Sequence, residues 1–403
     1  MSRNVMSPSS TPCTGCGACS ATCSVSAIRV AENADGFLSP VIDNDKCVEC
    51  GICQSVCYRF QSVTDLSRID NTVCYATCSN DNNTHKSTTS GGFAYELSKW
   101  GIENGYKIVG VVYDYDTDKA RTIIVDNLTD LEAFKGSKYI QSYTEEAFHN
   151  LCKLAKSNAN ERFICIGTPC QIFGLRKLVE KKQLHNDIIY VDLFCHGVPS
   201  YLVWEPYIKE HRLKLGHLDN VNFRYKGNGW HQYSIKITGD RGSYSDFAYN
   251  DVFYRYFFDN VALNASCFTC MFRKNLTAAD IRIGDFLGSA YEYREDGISA
   301  IVTTSSKGVR IVEQLENSGK ISVVGKHAAA ECLKSQSTED YNNIELRNSV
   351  IERLRKEDIH ITQKWYVSRF SLKRRIYLRL KSMTTLLPYK MIIALRRLIR
   401  IVR

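Results

Sequence analysis

CTGCGACSATC (13–23) and CVECGICQSVC (47–57) repeat one pattern, C-x2-C-x2-C-x3-C. Three cysteines two residues apart let one short loop set three thiolates around a cubane iron–sulfur cluster, while the fourth lies just past the loop and points to a second cluster. Structural zinc takes its cysteines in separated pairs, and a disulfide framework belongs to small secreted chains. Gly15, Gly17 and Gly51 supply open backbone where amides approach cluster sulfides. The chemistry this implies is electron transfer.

Residues 13–57 resemble a two-cluster ferredoxin. On that pattern Cys13, Cys16, Cys19 and Cys57 hold one [4Fe–4S] cluster, and Cys47, Cys50, Cys53 and Cys23 the other. The proline that usually follows the fourth cysteine is Ser24 in one copy and Tyr58 in the other, which bears on loop rigidity rather than on ligation.

The chain has 403 residues, more than one core usually supports, and 17 cysteines. MSRNVMSPSS has no apolar signal-like run, so a reducing, cytoplasmic setting and ligand thiols are expected rather than disulfides. The net charge of +9 is local: residues 369–403 carry eleven Lys or Arg and no acid, leaving the rest at minus two. In this tail Leu372, Ile376 and Leu380, then Met391, Leu395, Leu398 and Val402, recur at helical spacing, with Pro388 between. No run approaches a membrane span. A basic amphipathic helix suits an anionic membrane surface, here the inner face of the cell membrane, with a partner-docking helix or a solvated extension as alternatives. No aromatic stacking set accompanies the charge, so nucleic acid is not expected.

Between these ends strand-like and helix-like stretches alternate, as in an α/β or α+β domain. Residues 106–114, 121–125, 162–167, 187–194, 231–239, 279–284 and 298–304 read as strands; 93–105, 169–182 and 201–212 read as helices. There is no G-x-G-x-x-G after a strand and no Walker loop. Cys170 in GTPCQ and Cys195 in FCHGVPS each follow a strand, where open α/β sheets place their sites. With Cys267-x-x-Cys270 they make four thiolates, enough for a third cubane; three unrelated core positions are the alternative. Cys152 and Cys165 read as core. Cys74-x3-Cys78 has the spacing of ligands on a helix, but nothing nearby completes a set, so both read as structural, and Cys332 has no ligand context either.

The motifs STTSGGFAYEL (87–97), LEAFKGSKYIQS (131–142), CIGTPCQIFGL (165–175), DLFCHGVPS (192–200), NFRYKGNGWH (222–231), SCFTCMFR (266–273), ADIRIGDFLG (279–288) and GISAIVTTSSKG (297–308) together resemble the β subunit of coenzyme F(420) hydrogenase and dehydrogenase, in the version with an N-terminal ferredoxin. The resemblance spans about residues 10–320. It implies a ferredoxin domain over 8–62, the family's N-terminal-like domain over 72–155, its C-terminal-like domain over 158–335, and beyond the resemblance the basic helical tail over 364–403. The fold class is thus a two-[4Fe–4S] ferredoxin domain followed by a mixed α/β domain binding flavin and iron–sulfur.

By the same resemblance Cys170, Cys195, Cys267 and Cys270 hold the third [4Fe–4S] cluster. FAD, or FMN, sits among Ser90, Gly91, Gly92, Gly136, Ser137, Lys138, Gly167 and Thr168. Ser90-Gly91-Gly92 opens a predicted helix and offers amides and a hydroxyl to a pyrophosphate, and Lys138 adds a positive charge. His196 is the candidate catalytic residue, as a proton relay to the flavin; fixing its loop by hydrogen bonds is the other reading. The implied activity is an oxidoreductase passing electrons between a small-molecule hydride donor or acceptor, flavin, the third cluster and the ferredoxin clusters, from which a redox partner protein takes or delivers them. The alternative is a non-catalytic electron-transfer subunit of a larger complex. Similar ferredoxin-fused chains occur in bacteria that lack the deazaflavin coenzyme, often among genes for surface polysaccharide synthesis, so the resemblance leaves the hydride partner open.

Overall fold

The computed structural model describes residues 3–61, 72–274, 279–333, 336 and 339–393. In chain order the strands are β1 (Ile28–Glu32), β2 (Leu38–Ile42), β3 (Val73–Ser79), β4 (Tyr106–Asp114), β5 (Lys119–Val125), β6 (Ser142–Tyr143), β7 (Arg162–Gly167), β8 (Asp187–Leu193), β9 (Leu218–Tyr225), β10 (Ser234–Gly239), β11 (Gly242–Phe247), β12 (Ile281–Asp285), β13 (Ser299–Thr303) and β14 (Ile321–Ala328). Among the described residues, nine strands form one mixed sheet in the order β14-β3-β13-β12-β8-β7-β4-β5-β6. The segments 72–155 and 158–335 both contribute to it. β1 and β2 make a hairpin in the N-terminal lobe, and β9 to β11 a small antiparallel sheet.

β12, β8, β7 and β4 run parallel at the centre. Their near-continuous apolar runs follow from burial on both faces. Residues alternate between two cores: Phe163 and Cys165 of β7 pack under the helices Glu145–Ser157 and Pro169–Lys181, whereas Ile164 faces the helices Phe93–Glu103 and Ser306–Asn317. Cys152 and Cys165 are core, as expected. Helix Pro169–Lys181 starts where its sequence dictates, with proline in the first turn and a capping box between Thr168 and Gln171.

The ten strand and helix stretches read from the sequence all form, with ends shifted by a few residues. The structural reading of one cysteine pair agrees with its position in a core. Cys74 and Cys78 do not lie on a helix but on β3, and Cys74 is buried beside Cys332 in a small core around Trp230 and Phe286. In the tail, Leu372–Met383 is helical; Leu395, Leu398 and Val402 lie outside the described residues. No helix among the described residues is long and apolar enough to cross a membrane.

Candidate metal centres and cofactor site

Strand directions bring the candidate residues to one edge of the large sheet. β7 ends at Gly167 and leads into Thr168 and Cys170; its parallel neighbour β8 ends at Leu193 and leads into Cys195. β13 is antiparallel and begins at the same edge, Ser299 opposite Asp285, the last residue of β12. Thr77 near the end of β3 pairs with Ser299, so β3 delivers the chain toward Ser90–Gly92 at that edge. β6 begins there too, Ser142 beside Ala120, directly after Gly136–Lys138. This is the edge at which open α/β sheets bind their ligands.

The N-terminal cysteines are set by glycines. Gly15, Gly17 and Gly51 take φ of 69°, 78° and 77°, a left-handed backbone that leaves the amides open, and Gly17 and Gly51 start the short helices Ala18–Thr22 and Ile52–Ser55. Cys13, Cys16, Cys19 and Cys57 line one small cavity, in which the last cysteine of the second run stands with three of the first. Burial, then the neighbouring Cys57, pushes the Cys16 thiol up to about 12. Cys53 neighbours Cys50, the exposed member of the second set, and packs against Cys23 around Val5 and Ile28. Asn4 reaches Cys47 Sγ at 3.9 Å.

Cys170, Cys195, Cys267 and Cys270 converge as well. Burial first, then the thiolates of Cys267, Cys170 and Cys270, push the Cys195 thiol well above its ordinary value; Cys267 rises to about 12 for the same reasons. Two buried cations, Arg273 and Arg282, stand beside them. Four mutually repelling thiols gathered next to cations are the donor set an anionic cubane needs. Among the described residues no three His, Cys, Asp or Glu close to single-ion distance.

The two centres abut. Cys16 bears on the Cys170 thiol, and a Cβ on Gly174 of helix Pro169–Lys181 would lie 2.9 Å from Cys16 Sγ. Thr144 Oγ1 donates to the Cys16 carbonyl at 2.8 Å, and Gln141 bridges the lobes, donating to Thr14 O and accepting from Leu38 N, both at 2.8 Å. Tyr58, in the place of the usual proline, neighbours Cys170, Cys13 and Cys16 and packs edge-on against Phe272 with centroids 5.6 Å apart.

The flavin-site residues divide. Thr89 Oγ1 accepts from Ser137 N at 2.9 Å, tying the Ser90–Gly92 turn to Gly136–Lys138. Gly136 has φ 81° and open space where a Cβ would sit, and the Lys138 ammonium contacts the carbonyls of Ala133 and Lys135, its enclosure lowering it to about 7. These two features suit a bound anion. Gly91 is packed, with its amide on Ser299 Oγ at 3.0 Å and a Cβ there only 2.3 Å from Thr77 O; Ser90 Oγ donates to Ile298 O at 2.8 Å. Thr168 Oγ1 lies 3.3 Å from Cys170 Sγ, and Gly167, just before it at the end of β7, faces Gln171 and Ile172.

Residues 160–328 match the family model that describes the C terminus of the beta subunit of coenzyme F(420) hydrogenase/dehydrogenase, and residues 12–59 match that of a 4Fe-4S dicluster domain. The chain thus carries an iron–sulfur segment like dicluster ferredoxins and, behind it, a segment like the C-terminal part of F(420) hydrogenase/dehydrogenase β subunits. A chain in a xenon-derivatised structure of the F(420)-reducing [NiFe] hydrogenase complex from Methanosarcina barkeri is similar at 16% identity and a TM-score of 0.46, over 76% of this chain and 95% of that one. No curated protein matches the chain.

Within the matched segment His196 sits beside Cys195 with both ring nitrogens engaged. Nε2 meets Asn260 Oδ1 at 2.7 Å and Nδ1 the Tyr341 hydroxyl at 3.2 Å, while Tyr341 also donates to the His196 carbonyl at 2.7 Å. Burial brings the imidazole down to about 4. Sequence reasoning missed the polar frame of the site. Arg282 and Asp192 form a two-pronged ion pair at 2.7 and 2.6 Å, each 1% exposed, and Arg282 also donates to Phe272 O at 3.1 Å. Arg224 pairs with Asp285 next to Tyr139, whose phenol feels both of them and Cys195. Lys226 donates to the carbonyls of His85, Ser90 and Asp296. A charged residue inside an apolar strand run, such as Arg282 in ADIRIG, was the available signal.

Proposed function

We propose that this iron–sulfur redox protein is a flavoprotein oxidoreductase with three [4Fe–4S] clusters, exchanging a hydride with a small-molecule partner and single electrons with a partner protein. The convergence of four cysteines from three chain segments, against the cavity of Cys13, Cys16, Cys19 and Cys57, carries this reading. Cys170, Cys195, Cys267 and Cys270 would hold the third cluster, with FAD beside Gly136–Lys138 and the Ser90 turn. A bound flavin supplies the exchange between a two-electron hydride and single electrons.

The chain's residues do the rest. Lys226 fixes the Ser90 turn through three carbonyls, Lys138 offers positive charge, and Tyr139 links that region to the surroundings of Cys195. His196, held at both nitrogens, acts as a positioning residue for the Cys195 loop; this reading is preferred to the proton relay because its hydrogen bonds go to Asn260 and Tyr341. Gly174, Thr144 and Gln141 hold the ferredoxin against the β-subunit domain, which keeps the electron path short. The basic tail places the protein peripherally on an anionic inner membrane surface, in agreement with a role in surface polysaccharide synthesis.

Iron, acid-labile sulfide and flavin per chain, measured on protein purified without oxygen, test the proposal. Roughly 12 iron and one flavin are expected. About 8 iron without flavin would leave a ferredoxin-bearing transfer subunit and remove the sheet-edge assignments. Reduction of the flavin by a hydride donor in the isolated chain separates enzyme from transfer subunit. The membrane reading falls if a chain lacking residues 369–403 binds anionic liposomes as well as the intact one.

A further inference from the structure

CTGC (13–16) is the loop by which the ferredoxin meets the sheet edge. Alternate carbonyls along it are held from outside. Pro12 O accepts from the Tyr58 hydroxyl, Thr14 O from Gln141 Nε2 at 2.8 Å, and Cys16 O from Thr144 Oγ1 at 2.8 Å. Gly15 turns the chain at φ 69°, donates its amide to Cys13 Sγ at 3.3 Å, and packs so closely that a Cβ there would stand 2.3 Å from Leu38 O. The loop is thus fixed at every second residue, and Thr14, half-buried, lines the cavity of Cys13, Cys16, Cys19 and Cys57.

From that position the Thr14 hydroxyl is within hydrogen-bonding reach of two sulfurs, those of Cys16 and Cys170. The first belongs to the N-terminal set and the second to the sheet-edge set. The other hydroxyls at this contact are one-sided: Tyr58 gives its proton to Pro12 O, and Thr168 Oγ1, part of the cap of helix Pro169–Lys181, stands 3.3 Å from Cys170 Sγ. A hydroxyl has one proton to donate and a free rotor. Thr14 therefore serves one of its two sulfurs at a time. The sulfur with more negative charge is the better acceptor, because a hydrogen bond to an ionised acceptor is roughly twice as strong as a neutral one.

We propose that Thr14 is a positioning residue shared by two clusters: its single hydroxyl proton turns to the ligand sulfur, Cys16 or Cys170, of whichever cluster is reduced. The inference rests on the three-cluster reading above. Hydrogen bonds to the sulfurs are among the features that set a cluster's potential, and a bond that favours the more anionic form raises it. A donor available to both sides raises both potentials and keeps them close, which suits an electron that must cross in either direction. Valine at position 14 keeps the branched shape and the stiff side chain but has no proton to give.

Redox titration of the full chain followed by electron paramagnetic resonance, with iron measured on the same samples, tests this. The signals lost in Cys170→Ser and Cys50→Ser assign the sheet-edge and outer clusters, and the remaining signal is the cluster of Cys13, Cys16, Cys19 and Cys57. Thr14→Val should lower the potentials of this cluster and of the sheet-edge cluster, each by roughly tenfold in the reduction equilibrium, about 59 mV for one electron, the loss expected for one hydrogen bond to a charged group. Iron should stay at roughly 12 per chain. Thr14→Ser, which restores a hydroxyl, should bring both potentials back, and Thr168→Val should lower the sheet-edge potential alone. Thr14→Ala gives the same readout should valine cost iron. A shift of one cluster only in Thr14→Val makes Thr14 an ordinary one-sided donor and overturns the proposal, as does no shift or a shift that Thr14→Ser leaves in place. Unshifted potentials with about 12 iron strike this inference alone, whereas about 8 iron in the unaltered chain removes the three-cluster reading and this inference with it.

Discussion

The N-terminal cysteine sites and the sheet-edge cysteine site are built in opposite ways. Eight cysteines lie within 45 residues, on two short loops whose left-handed glycines set the backbone locally. The other four span residues 170–270 and meet because β7 and β8 are adjacent and parallel, and because Arg282 of β12 holds the Phe272 carbonyl and Arg273 that of His196, which ties the Cys267–Cys270 turn to the strand ends. A site made of loops carries its own geometry. A site made of strand ends borrows it from the fold, so distant changes should empty the second while sparing the first.

Single ligand substitutions give the largest expected effect. Cys170→Ser should remove roughly four iron per chain and leave about eight. Cys50→Ser, in the exposed outer set, should remove a similar number without disturbing the sheet edge. Iron analysis with electron paramagnetic resonance of the reduced protein checks both. If Cys170→Ser also emptied the N-terminal sites, those sites would not be self-contained and the contrast would fail.

Next comes the ion pair behind the sheet-edge site. Asp192 on β8 and Arg282 on β12 are each 1% exposed, and Arg282 ties both strands to the Phe272 carbonyl, two residues past Cys270. Arg282→Met leaves a buried carboxylate unpaired, which costs about 3–5 kcal/mol. Pairing it with Asp192→Leu should recover much of that loss, because apolar replacement of a whole buried pair is often neutral. Denaturant midpoints measure the stability. The sharper readout is where iron goes: Arg282→Met should lose it from the sheet edge before the ferredoxin.

The same contrast explains what could be read from the residues. Cysteine triplets are a local code, and so are the apolar runs of β4, β7 and β8 and the capping residues of helix Pro169–Lys181. Cys74 and Cys78 show where a local code runs out. A separation of four fits one face of a helix, but it is also an even number, so on β3 both residues point to the same side, into the core with Cys332 and Trp230. Spacing alone does not separate the two periods. Partners of His196, Arg224 and Lys226 come from 60 or more residues away, and no pattern within a window encodes them. The tail helix was legible as amphipathic, but the inward turn of Arg374 toward Asp259 was not, because both faces carry basic residues.

The smallest expected effect lies where the two constructions touch. Gly174 is a helix-interior glycine, and replacing it with alanine would ordinarily gain up to about 1 kcal/mol from helix propensity. Here the new methyl would stand 2.9 Å from Cys16 Sγ and 3.1 Å from Ala18 Cβ, and overpacking of that kind costs about 1–3 kcal/mol. The two terms nearly cancel, so Gly174→Ala should change stability by only about 1 kcal/mol. Its consequence should appear elsewhere. The Cys13–Cys19 loop must move outward to admit the methyl, so the magnetic interaction between the two neighbouring reduced clusters should weaken while iron content stays unchanged. A variant with unaltered coupling would mean that helix Pro169–Lys181 yields instead of the loop. The strand-end site would then be the softer of the two constructions at their contact, and the loop the rigid one.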